Sequence, residues 1–473
     1  MRPQRYFHLL AGLLVCLAGC TANAPYRRVL PVTSPSNTNR PANLEPIDVA
    51  RAQTVETNGN CVIGYVEFDD QGWFWSHRQW QAVKDAIEDT AAHSPSGLTI
   101  VVFVHGWKSN ADYDDPNVKL FRGVLSELSS NLNPRAVFGV YASWRGLSAT
   151  SDLVPPLAKE LSFYNRKDVA ERIGHQGAAT QVFTELEIMQ DELNALTNRP
   201  DFHRTELIIV GHSFGGHLVY SAVSQVLEER LLLATRHKTK EPIRSLGDLV
   251  ILLNPAFEAS LYNNLISLAT STDIDYPTNQ PPVLAIFTSK SDQATGLAFP
   301  VGRFFTTWFD ATRPSKGPEE QWLFNVKKRD TPDERRAIRD TVGHDPDYIS
   351  YDLNYVSLGT NAPARPKTSA RHERNRRVQS LQRRLAENNL ATDPTQLQPY
   401  VFTNTVENTT YACVLQPRRG GYAFKRGNPF LNVAVDEQIM NGHSDIANPV
   451  ILGFLRDFIL FTTQTNSPSA DAE

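Results

Sequence analysis

At 473 residues the chain can hold one large α/β domain with insertions or two smaller domains, and burying a core is no difficulty. With a net charge of -4 and 41% hydrophobic residues, nothing in the overall balance points to nucleic acid.

The first twenty residues read as a targeting segment. Arg2 and Arg5 form a positive start, residues 9–17 an apolar run too short to span a bilayer as a stable helix, and Leu17-Ala18-Gly19-Cys20 closes it. This stretch resembles the lipobox of bacterial lipoproteins. The resemblance implies that residues 1–19 are removed and that Cys20 becomes a fatty-acylated N-terminus. Thr21 in the next position implies an outer membrane location facing the periplasm. An ordinary signal peptide cut nearby is the alternative. Cys16 then leaves with the signal, so Cys61 and Cys413 remain in the folded body, where they can pair as a disulfide or stay as two buried thiols. Residues 20–58 are rich in Pro, Asn, Thr and Ser without apolar period, as suits a flexible tether.

Residues 61–68 read as the first strand. Trp73, Phe74, Trp75 and Trp80 lead into a helix to about residue 92, with Trp80, Val83, Ile87 and Ala91 at helical spacing, and these tryptophans are expected to pack in the core. A continuous apolar strand, 98–104, ends in His105-Gly106-Trp107. Helix is expected over 117–132, strand over 136–144, and helix again within 164–198.

Residues 207–210 are four apolar, largely β-branched positions, as expected of a strand buried on both faces, and Gly211-His212-Ser213-Phe214-Gly215 follows at once. Residues 218–233 read as a helix. A strand turning sharply into a helix around a serine exposes its hydroxyl on a crowded corner, which is why glycines flank it two residues away on each side. The Phe214 amide would then sit at a helix N-terminus and favour an oxyanion, with the Trp107 amide as its partner. His105 is expected to hold its own loop by a hydrogen bond.

Strands follow at 248–253, ending in Asn254-Pro255, and at 282–288, followed by Asp292; the last strand, 431–440, is followed by Asn441-Gly442-His443 and a helix over 449–460. Alternating strands and helices specify a mostly parallel central sheet flanked by helices. Asp292 is the candidate acid, with Glu258 as its substitute beside Asn254. His443 is the candidate base, with His344 its rival. Between the strand before Asp292 and the last strand lies a large insertion, 301–427, read as cap-like or lid-like. It carries an aromatic run at 304–309, open between lining an apolar pocket and core packing. It also carries a basic helix within 365–390, for which a solvated connector is preferred over a membrane-surface helix.

Together His105-Gly106-Trp107, G-H-S-F-G-G around Ser213, Asp292 after its strand and N-G-H around His443 resemble the α/β-hydrolase superfamily, over residues 59–300 and 428–462. The resemblance implies an α/β-hydrolase fold, a Ser213, Asp292, His443 triad, an oxyanion hole from the Trp107 and Phe214 amides, and neither metal nor cofactor. The expected activity is hydrolysis of acyl or lipid esters at the envelope, with a membrane partner through the anchor and no nucleic acid. An acyltransferase or thioesterase on the same triad, and a non-catalytic lipoprotein platform, are the alternatives. Residues 463–473 read as a disordered tail.

Overall fold

The computed structural model describes residues 24–31, 46–147, 156–196, 204–238, 241–300, 333–359, 370–391, 396–406, 409–418 and 422–463. The expected signal segment, Cys20, the aromatic run 304–309 and residues 464–473 lie outside them.

After a short helix α1 (Pro46–Arg51), β1 (Val55–Asn58) and β2 (Cys61–Phe68) form a hairpin, followed by α2 (His77–Ala92), β3 (Leu98–Val104), α3 (Pro116–Leu132) and β4 (Ala136–Trp144). Two helices, α4 (Pro156–Gln176) and α5 (Ala178–Leu196), precede β5 (Thr205–His212), α6 (Phe214–His237), β6 (Leu249–Leu253), α7 (Ala259–Ala269) and β7 (Leu284–Ser289). Then come α8 (Glu334–Ala337), β8 (Tyr351–Gly359), α9 (Ala370–Leu390), β9 (Tyr400–Val406), β10 (Thr409–Pro417), β11 (Phe430–Val435) and α10 (Pro449–Thr463).

These strands form one sheet in the order β1-β2-β4-β3-β5-β6-β7-β11-β8-β10-β9. From β2 to β8 every ladder is parallel, and only the outer pairs are antiparallel. Parallel strands covered on both faces must be apolar at every position, and β3 and β6 are buried throughout. Alternate residues therefore feed two cores. Leu207 and Ile209 join the packing of α2, α4, α5, α6 and α7, while Ile208 joins that of α3, α9 and α10.

The insertion does not form a cap in its described part. It extends the sheet: β8 pairs with β11 and with β10, and β9 forms the outer edge. Once β11 pairs with β7 on one side, its other side presents unpaired amides and carbonyls, and β8 satisfies them. The basic helix α9 buries Val378 and packs Leu381 and Leu385 on the second sheet face, so these apolar side chains are not available to a membrane. The last strand stops at Val435, short of the expected residue 440, although Ile439 and Met440 stay buried in the turn that follows.

The stretch expected to be a tether is in part packed. Arg27 is fully buried, with Nε donating to Ala111 O at 2.8 Å, Nη1 3.2 Å from the Glu56 carboxylate, and its guanidinium 3.7 Å above the Tyr65 ring. The amides of Tyr26 and Arg27 donate to the two oxygens of Glu67 at 2.9 and 2.8 Å. Polar composition suggested solvated chain, but a guanidinium whose Nε and Nη1 both find acceptors can be buried.

Cys61 and Cys413 are both free and buried, so the disulfide does not form. Cys61 is on the second strand of the sheet and Cys413 on the tenth, and neighbouring strands lie ~4.8 Å apart, far beyond bridging reach. Trp80 packs in the core as expected, but Trp73 is 70% exposed, because its short turn points the ring outward after β2 has ended.

Candidate active site

β5 ends at His212 and α6 begins at Phe214, leaving one residue to reverse the chain. That residue, Ser213, has φ 57° and ψ -121°, a conformation costing a side-chain-bearing residue roughly 1–3 kcal/mol. It is held by its amide donating to Leu253 O at 3.0 Å and its carbonyl accepting from the Ala256 amide at 3.1 Å. The crowding predicted for the corner is real: a Cβ on Gly215 would stand 2.1 Å from Val104 O, and one on Gly106 would stand 2.7 Å from the Ser213 Cβ. The His105-Gly106-Trp107 loop thus lies directly against the serine.

His443 Nε2 is 2.8 Å from Ser213 Oγ, and His443 Nδ1 is 2.8 Å from Asp292 Oδ2. With Nδ1 protonated toward the carboxylate, Nε2 is left to accept from the hydroxyl. Asp292 sits just past β7. Its Oδ2 also accepts from the Thr295 hydroxyl at 2.5 Å, and its Oδ1 from the amides of Ala294 and Thr295 at 2.9 and 3.2 Å. Burial alone would raise its pKa, but the hydrogen bond and charge of His443, with the Thr295 donors, hold it below the ordinary carboxylate value. The carboxylate is thereby kept ionised.

Two further residues fix the loop that carries the imidazole. Asn254, fully buried after β6 with φ 43°, donates through Nδ2 to the carbonyls of Gly442 at 3.1 Å and His443 at 2.9 Å, and accepts from the Ser289 amide at 2.9 Å. His212 Nε2 donates to the same His443 carbonyl at 2.9 Å. Burial, with the nearby His443 ring adding to it, lowers the pKa of His212 to about 3, so the ring remains neutral. The sequence noted both residues for other reasons and missed this role; the signal available was a polar side chain at the C-terminal end of a buried strand.

The rival candidates lie elsewhere. His344 Nδ1 is 3.1 Å from the Thr341 hydroxyl and 3.5 Å from that of Thr295, so it stands behind Asp292 rather than at Ser213. Glu258 is paired with Lys167 at 3.1 Å, both side chains nearly inaccessible. His105 holds its loop, with Nδ1 donating to Gly106 O and Nε2 accepting from Ser143 Oγ, both at 2.9 Å, and burial lowers its pKa to about 4. The amides of Trp107 and Phe214 donate to no group among the described residues. Beside them Phe163 contacts the rings of Trp107, Phe214 and Phe299 at centroid distances of 5.2, 4.6 and 6.2 Å, an apolar wall. Among the described residues no group of three or more His, Cys, Asp or Glu side chains gathers as a metal ion would require.

Residues 81–303 match the model of a family described as "Alpha/beta hydrolase of unknown function (DUF900)". Over these residues the chain is similar to an α/β-hydrolase family, and it has the α/β-hydrolase fold. The matched part runs from α2 to just beyond Asp292 and so includes Ser213, while His443 lies outside it. A cutinase of Trichoderma reesei, solved in complex with a C11Y4 phosphonate inhibitor, is similar at 15% identity with a TM-score of 0.18, over 37% of this chain and 63% of that one. No curated protein matches the chain.

Proposed function

We propose that this protein cleaves carboxylic esters of acyl or lipid type through a covalent acyl-enzyme on Ser213, and that it is held at the bacterial envelope by lipid on Cys20. The observation that carries the catalytic reading is the continuous relay from Ser213 Oγ to His443 Nε2, and from His443 Nδ1 to Asp292, with 2.8 Å at each step.

His443 accepts the hydroxyl proton as Ser213 Oγ attacks the ester carbonyl, and Asp292 steadies the imidazolium. The developing oxyanion is met by the amides of Trp107 and Phe214, each worth about 3 kcal/mol by precedent. The alcohol leaves with the proton from His443. Water then attacks the acyl-enzyme, giving its proton to the same ring and releasing the acid. The wall of Phe163, Phe214 and Phe299 beside the serine suits an apolar acyl group.

A fluorophosphonate probe tests this. It should modify the wild-type protein at Ser213 and leave Ser213→Ala unlabelled, and p-nitrophenyl esters of increasing chain length should be turned over in proportion to labelling. A folded wild type that reacts with neither refutes the reading.

A further inference from the structure

We propose that the edge of the sheet carrying Ser213 and His443 is the surface with which this protein docks on a lipid bilayer, with Trp73 and Leu297 as its insertion points. The inference rests on the reading of Cys20 as the anchored residue, and is independent of ester hydrolysis.

The first argument is where the chain joins the body. Tyr26 and Arg27 are clamped to Glu67, the next-to-last residue of β2, and Arg27 also reaches Ala111 in the loop after β3. Both contacts lie at the C-terminal ends of parallel strands. The same end presents Trp144, whose indole donates to His105 O at 3.0 Å, and the Gly106 backbone that abuts Ser213. Tyr26 stands six positions after Cys20, and six extended steps span no more than ~22 Å. A lipid on Cys20 is therefore tied within ~22 Å of the clamp at Glu67, and so short a tether favours the edge that carries the serine as the one turned to the bilayer.

The second argument is what that edge exposes. Trp73, 70% exposed, lies in the turn after β2, and Leu297, 64% exposed, lies in the turn after β7 that also carries Asp292. Tyr113, in the loop after β3, is exposed too and stands within cation-π distance of Arg122. Single exposed apolar residues need no explanation. An exposed tryptophan and an exposed leucine on the edge where the tether enters do, since an indole and an aliphatic tip are the side chains that partition into the interfacial zone of a bilayer.

Leu232 and Leu233 supply the control. They are comparably exposed but lie near the C-terminal end of α6, a 24-residue helix that starts at Phe214 and so carries them ~28 Å away from the serine edge.

The test uses the full-length lipidated chain carrying Ser213→Ala, so that no turnover intrudes, with unilamellar vesicles of phosphatidylethanolamine and phosphatidylglycerol doped with brominated phosphatidylcholine. Bromine quenching of tryptophan fluorescence should be substantial and should be lost in Trp73→Phe. The double variant Trp73→Glu, Leu297→Glu should bind vesicles about tenfold more weakly, whereas Leu232→Glu, Leu233→Glu should bind unchanged. In the Ser213-bearing protein the first pair should depress hydrolysis of vesicle-borne ester and spare hydrolysis of soluble p-nitrophenyl acetate. Absence of vesicle association, unquenched Trp73 on bound protein, or equal loss from both double variants overturns the proposal. An inactive protein that still shows Trp73 quenching overturns the hydrolase reading alone.

Discussion

His212 donates its Nε2 hydrogen to the main-chain carbonyl of His443 at 2.9 Å, and so the residue preceding the serine grips the backbone of the residue that would take the serine's proton. The imidazole is positioned from both ends: its ring by Asp292, its backbone by His212 and Asn254.

That grip has a pH signature. His212 stays neutral in the folded protein down to about 3, whereas in the unfolded chain it takes a proton near its ordinary value of ~6.5. Its contribution to stability is therefore complete above ~6.5 and is lost as pH falls from there toward 3. His212→Gln keeps an amide hydrogen for the carbonyl but cannot titrate. Between about pH 6 and about pH 4.5 wild type should lose stability relative to it by up to ~1.4 kcal/mol per unit. Urea unfolding midpoints of the two proteins check this, and a constant gap across that range would refute it.

Asn254→Ala should strip the Gly442 and His443 carbonyls of a donor in a buried place. About 1–3 kcal/mol of stability should go with it, and kcat should fall by about tenfold or more as the imidazole loosens. Chemical denaturation and steady-state kinetics on a p-nitrophenyl ester separate the two losses.

Asp292→Asn should leave the fold standing and lower kcat by about 10⁴-fold, because an amide can present its own hydrogens to the ring and favour the wrong tautomer. The variant's circular dichroism spectrum should match wild type.

Ser213→Gly tests the strain at the corner. Glycine adopts φ 57°, ψ -121° without steric conflict, so this variant should be more stable than Ser213→Ala by about 1 kcal/mol. Both should be inactive and unlabelled by fluorophosphonate. Equal stability of the two would mean that the corner stores no strain.

Gly106→Ala places a methyl 2.7 Å from the Ser213 Cβ. The loop must retreat, taking the Trp107 amide with it, so kcat should fall by about 10²-fold, while KM for a short-chain ester stays within a few fold. Paired measurements of kcat and KM decide it.

The central strands were readable to the residue at β3 and β4, because strands buried on both faces are unbroken apolar runs and their ends are abrupt. The serine corner was readable for a steric reason, since few residues other than glycine fit beside it. The sheet's far edge was not. β8 reads Tyr-Asp-Leu-Asn-Tyr-Val-Ser-Leu-Gly, and with most of its length only half covered it lacks the run that marks a buried strand. The clamp at Arg27 was invisible because its acceptors come from positions 51, 56 and 111, and no local pattern announces a buried guanidinium. Asp292 and His443 were chosen by chain order, and β11 lying directly beside β7 brings the turns after both strands, with these two side chains, together.

That adjacency sets a timetable for the molecule as it is made. β7 and the turn bearing Asp292 are laid down first, yet the strand that slots against them comes from the last tenth of the chain, and His443 follows the carboxylate by 151 positions. A product of premature termination between Asp292 and β11 holds hydroxyl and carboxylate but no imidazole between them. A nascent or clipped chain is thus mute until its C-terminal segment closes the gap between β7 and β8, and completeness of synthesis becomes a precondition for assembling the serine relay.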